Sequence, residues 1–159
     1  IASLRFSDPL VVILYILGKE KSRDNIDTLI TALREAFRDQ GVLNAAVKKR
    51  LQGREADIII LDGLRKEKEI SLVKECEGFL VFIAADQRTR YQRRRQEAEK
   101  PDELGMSWEQ FVAQADAPPQ KEIRRIGQTL ADAAIENNGT VQDFELKIKE
   151  FIDAYHIAE

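Results

Sequence analysis

Ile58-Ile59-Ile60-Leu61-Asp62-Gly63 is the stretch that decides the fold. Its four consecutive apolar residues, most of them β-branched, read as a strand covered on both faces, the kind found in parallel sheets. Asp62-Gly63 then closes it as a turn. Downstream, Phe79-Leu80-Val81-Phe82-Ile83 is a second run of the same kind, and Ala131 to Ile135 is a weaker third. Upstream, Leu4 to Phe6 reads as a short strand.

Helical patterns fill the intervals. Ser7-Asp8-Pro9 starts one helix, with Ser7 as its cap, Asp8 favourable in the first turn and Pro9 already set for helical φ. The following Leu10 to Leu17 is apolar on every side, which predicts a helix buried all round, with a strand as the alternative; Gly18 stops it. Ser22 to Asp39 is amphipathic, with Ile26, Leu29, Ile30, Leu33 and Phe37 at helical spacing. Leu43, Val47 and Leu51 make another stripe, and Glu67 to Cys76 predicts a further helix that buries Cys76. A very basic helix runs from Gln87 to Lys100. Ser107 and Gln110 fit a capping box for a short helix bearing Trp108 and Phe111. Gln120 to Leu130 is helical, and Asn137-Asn138-Gly139 is a turn. Val141, Phe144, Ile148, Phe151, Ile152 and Tyr155 form the stripe of a last helix.

Strands alternating with helices predict right-handed crossovers. The expected architecture is α/β in three layers, a parallel sheet with helices on both faces, plus a small helical lid. It is read as one domain over 1–159, with 101–118 as a flap on it. The composition agrees: 159 residues, 43% hydrophobic and 33% charged, describe an ordinary globular protein. A formal net charge of −3 provides no global field for nucleic acid or a membrane surface. Leu10 to Leu17 is far short of the roughly 20 residues a membrane helix needs. One cysteine, Cys76, and one histidine, His156, rule out a disulfide framework and a Cys/His metal site, and suit a reducing cytoplasm.

In a parallel α/β sheet, ligands bind at the carboxyl ends of strands. The polar groups placed there are Ser7 and Asp8, then Asp62, Gly63 and Arg65, then Asp86 with the basic helix, then Asn137 to Thr140. Asp62 stands where a phosphotransferase keeps a carboxylate for magnesium, a hard cation that prefers oxygen ligands and retains waters. An aspartate that merely caps the next turn is the competing reading. Arg65 is in reach of a phosphate from the same loop. Arg90, Arg93 and Arg94 share a helix face and are placed to converge on one polyanion, which guanidinium groups grip in bidentate fashion. A solvated face paired internally is the alternative. Arg124 and Arg125 follow the flap and would close from its far side. Trp108 and Phe111 are expected to anchor the flap by hydrophobic contact.

Taken in order, Asp62-Gly63-Leu64-Arg65, Asp86 to Arg90 with the arginines after it, and Asn137-Asn138-Gly139-Thr140 resemble the nucleoside monophosphate kinase group of P-loop proteins. The adenylate kinase-like and dephospho-coenzyme A kinase-like members are the nearest in pattern, and the likeness spans nearly the whole chain. It implies transfer of the γ-phosphoryl group of ATP, with Mg2+, to a (deoxy)nucleoside monophosphate or dephospho-coenzyme A. It assigns Asp62 to magnesium, Arg65 to the acceptor phosphate, and Arg90, Arg93 and Arg94 to the lid. Arg124 or Arg125 would complete the cage, and Asn138, Gly139 and Thr140 would lie beside the adenine. Ser7 and Asp8 match the start of the acceptor region in the related deoxynucleotide kinases.

One departure stands out. That group opens with a strand and a G-x-x-x-x-G-K-[ST] loop holding the donor phosphates, and no such run occurs here. Since the opening strand lies centrally in the group's sheet, three expectations follow: an upstream segment before Ile1, a partner chain or homodimer completing the sheet, or a catalytically dead relative. The first is favoured. Without the loop, little or no turnover is expected; a non-catalytic nucleotide-binding or regulatory module is the rival reading.

Overall fold

In a computed structural model, residues 1–96 and 105–155 are described. The chain is α/β with parallel strands, and it divides into two compact units that meet in sequence at Gly78 and Phe79.

The first unit holds β1 (Ala2–Arg5), α1 (Asp8–Ile16), α2 (Arg23–Phe37), α3 (Asn44–Gln52), β2 (Ile59–Asp62) and α4 (Glu67–Glu75). β1 and β2 pair in parallel, Ala2 opposite Ile59 through Arg5 opposite Asp62. The pairing extends at both ends, where the Ala2 N–H donates to the Ile58 carbonyl and the Phe6 N–H to the Asp62 carbonyl. Phe6, Leu10, Ile30, Leu43, Val47 and Leu72 form the core of this unit. The helical stripes read from the sequence supply Ile30 of α2 and Val47 of α3 to it, so periodicity translates directly into packing. Ser22 caps α2 as an extended residue whose hydroxyl accepts from the Asn25 N–H. Arg38 ends α2 in the left-handed region (φ 49°), and Glu77 follows α4 in the same conformation (φ 55°).

Four expectations for this unit are corrected. α1 buries only Leu10 and Leu14, while Val12, Tyr15, Ile16 and Leu17 stand exposed. A helix turns half its surface away from whatever it packs on, and among the described residues nothing covers the second side. Ser7 does not cap α1 with its hydroxyl, because its own backbone is already helical. β2 is not covered on both faces, since Ile60 is 51% exposed. Cys76 is exposed at the C-cap of α4 rather than buried within the helix.

The second unit holds β3 (Val81–Ala84), α5 (Gln87–Gln96), α6 (Trp108–Ala115), α7 (Pro118–Thr129), β4 (Ala133–Glu136) and α8 (Val141–Ala154). β3 and β4 pair in parallel, Val81 opposite Ala133 through Ala84 opposite Glu136. Side chains clasp both ends of the pair. Asp132 Oδ2 accepts from the Leu80 N–H at 2.8 Å, and Asn138 Oδ1 accepts from the Asp86 N–H at 2.7 Å. Buried hydrophobic groups are Leu80, Phe111, Ala115, Ile126 and Ile135. α7 lies so close to β3 that a Cβ at Gly127 would come 2.2 Å from the Phe82 ring, which is why glycine occupies that helical position. The capping box of Ser107 and Gln110 is present on α6, and a second box, Thr140 with Asp143, starts α8.

The expected continuous sheet is observed as two parallel pairs, β1–β2 and β3–β4. Of the anticipated 101–118 flap, residues 101–104 lie outside the described residues, as do 97–100 of the basic helix and His156. Among the described residues no helix is long and apolar enough to cross a membrane.

Candidate functional site

The first unit gathers Ser7, Asp8, Asp62, Gly63 and Arg65 at the carboxyl end of its strand pair, as position after a strand predicts. Gly63 turns with φ 90°, a conformation that side chains other than glycine rarely adopt, and this fixes the direction in which the chain leaves β2. Asp62 and Arg65 are exposed. Asp8 turns back on its own unit: its Oδ2 accepts from the Arg5 N–H at 3.2 Å and lies 3.6 Å from Arg50.

Two residues that the sequence did not single out hold this loop. Glu69 is 2% exposed and pairs with Arg34, while its Oε2 accepts from the backbone N–H groups of Arg65 at 2.7 Å and Lys66 at 3.1 Å. A signal existed for each. Glu69 stands three residues after Lys66, at the N3 spacing of a capping box, and Arg34 interrupts the apolar stripe of α2 between Ile30 and Phe37.

In the second unit, the arginines of α5 are dealt out to different partners. Arg93 reaches across to the turn after β4, donating from Nη1 to the Asn137 carbonyl at 2.8 Å and from Nη2 to the Gly139 carbonyl at 2.7 Å. Arg94 donates to Gln114 Oε1 of α6 at 3.2 Å. Arg88 and Arg95 lie over the rings of Trp108 and Tyr91, at 5.6 and 5.8 Å. Trp108, Phe111 and Tyr91 form one aromatic cluster, so the expected anchoring contact of α6 is present.

Arg90 differs from all of these. Its guanidinium lies 5.9 Å from the Phe111 ring, and its Nε is buried with no hydrogen-bond acceptor among the described residues. Burial first, and the positive charge of Arg124 second, hold its pKa below the ordinary arginine value. Arg124 itself is tied to Asp116 at 3.0 Å. Arg125 follows Arg124 on α7. Two like charges brought together in partial burial, one with an unmet donor, make a place that an anion would stabilise.

The turn 137–140 is engaged in structure. Asn138 holds the Asp86 N–H, Gly139 has no room for a Cβ beside Asp143, and Thr140 caps α8. Asp143 accepts from both the N–H and the hydroxyl of Thr140, and these bonds hold its carboxyl below the usual carboxylate range. Asp62, Asp8, Ser7 and Arg65 thus belong to the first unit, and Arg90, Arg93, Arg94, Arg124, Arg125 and the 137–140 turn to the second. The described residues contain no cluster of three or more metal-type side chains.

No known family profile matches the chain. It is 25% identical over 142 residues to a UPF0200 protein of Thermococcus kodakarensis, an alignment that covers 86% of this chain and 75% of that relative.

Proposed function

We propose that this chain is the body of a nucleotide kinase-like phosphotransferase, which moves the γ-phosphoryl group of ATP to a (deoxy)nucleoside monophosphate or dephospho-coenzyme A. The observation that carries this reading is Arg90, a partly buried guanidinium with an orphaned Nε and Arg124 as its charged neighbour. Phosphoryl transfer demands little covalent chemistry from the protein and much charge neutralisation, which such a pair supplies. Arg65, exposed on a loop pinned by Glu69, is the proposed contact to the acceptor phosphate. Magnesium fits Asp62 as one carboxylate beside waters and substrate phosphates, the usual arrangement for that ion. The donor phosphates have no cradle among these residues, because the glycine-rich run is absent from the sequence. No transfer step is therefore routed through this chain alone, and it is expected to bind nucleotide without turnover. An exposed single thiol suits a reducing cytoplasm.

A second reading is a non-catalytic nucleotide-binding or regulatory module, which would keep the basic helix α5 and need no donor site. Calorimetric titration of nucleoside monophosphates and dephospho-coenzyme A, with and without Mg2+ and ATP, separates the two. Micromolar to millimolar binding that weakens at least tenfold in Arg90→Gln and Arg124→Gln supports an arginine-built phosphate site. Enhancement by Mg2+ and ATP favours the phosphotransferase, and indifference to them favours the module. Failure of every mononucleotide to bind overturns both.

A further inference from the structure

The exposed side of α1 belongs to neither reading. Leu10 and Leu14 face the core of the first unit, and Val12, Tyr15 and Ile16, at helical i, i+3 and i+4 spacing, face away from it. Tyr15 is 83% and Ile16 73% exposed, and Leu17 continues the patch at 59%. Together these side chains present on the order of 500 Å² of mostly apolar surface, the size at which a patch on a soluble protein marks an interaction site. No charged residue lies between Asp8 and Lys19.

We propose that this face is a homodimer interface, with α1 packed antiparallel against α1 of a second copy about a two-fold axis. Three features suit a second copy as the occupant. Two facing patches bury at most on the order of 1,000 Å², which reaches the threshold for a specific, modest interface. The face is uncharged along its length, so an isologous contact brings no like charges together, and Asp8 at its end is already neutralised by Arg50 of the same chain. Antiparallel packing also sets the two helix dipoles head to tail, a small further gain. Across the axis Tyr15 of each copy reaches Val12 of the other, and the aromatic ring supplies the kind of large rigid contact that dominates interface energies.

Sedimentation velocity of the full chain from about 1 to 100 μM tests this, with a dissociation constant expected on the order of tens of μM. Ile16→Asp should weaken association at least tenfold while leaving the thermal transition in place, since Ile16 is 73% exposed. Val12→Cys in a Cys76→Ser background should oxidise to a covalent dimer much faster than Thr31→Cys in the same background. This second arm decides the matter if Ile16→Asp does not fold. A wild-type chain that stays monomeric throughout, a dimer that survives Ile16→Asp, or a monomer that instead binds lipid vesicles overturns the proposal.

Discussion

Glu69 of α4 bridges Arg34 of α2 and the backbone of the loop after β2, one carboxylate oxygen to each side. A buried carboxylate is tolerable only when its oxygens are met by donors, and here both are. The bridge ties two helices and the candidate acceptor loop into one network.

Glu69→Ala is therefore expected to destabilise the first unit by about 3 kcal/mol, because it strands the Arg34 charge and two backbone donors. Glu69→Gln keeps one oxygen as acceptor and should lose less. Urea unfolding measures both, and equal loss in the two variants would show that the loop bonds contribute nothing.

Arg93 and Arg90, three residues apart on α5, should behave in opposite ways. Arg93→Ala releases the carbonyls of Asn137 and Gly139 and is expected to cost about 1.5–3 kcal/mol, as for hydrogen bonds to a charged group. Arg90→Met removes an unmet donor and a like-charge neighbour, so stability should hold or rise by up to about 1 kcal/mol. Thermal denaturation of the two variants side by side checks the contrast.

Gly127→Ala should destabilise the second unit by about 1–3 kcal/mol through overpacking against the Phe82 ring. Phe82→Leu in the same chain removes the obstructing ring atoms and should recover part of that loss. A double-mutant cycle with no coupling between the two positions would show that α7 and β3 do not press on each other there.

The cap of α8 carries a pH dependence of known sign. Asp143 has its folded-state pKa depressed by its bonds to Thr140, so its contribution is present above the unfolded carboxylate value of about 4 and is lost as pH falls through the lower folded value. Asp143→Asn should flatten that acid limb. Amide exchange of the first turn of α8, followed from about pH 5 to pH 2, reads it directly.

Local features of the fold were legible in the sequence. Ser107 with Gln110 and Ser22 before α2 each express a rule that acts within a few residues, and each is found in place; the stripe of Val141 to Tyr155 placed the helix α8, but none of its residues is buried. The division into two strand pairs was not legible, because pairing depends on distant partners that no local pattern encodes. The exposure of Val12 and Tyr15 escaped for a related reason: an apolar helix has the same pattern whether its second side is covered or bare. At the candidate site, Asp62 and Arg65 stand at and just after the end of β2, and Arg90 lies on α5, the helix that follows β3. What each arginine of α5 grips was not readable, since helical spacing orders the Cα atoms while side-chain reach selects the partner, as Arg93 and Arg94 show.

Arg38 and Glu77 end their helices in a conformation that costs an L-residue roughly 1 kcal/mol or more, and that glycine adopts freely. The consequence is a reserve of heat tolerance at two surface positions remote in sequence from every candidate ligand contact. Arg38→Gly and Glu77→Gly would draw on it without altering a single side chain of the proposed phosphate site, giving a hardier scaffold on which weak nucleotide binding can be measured.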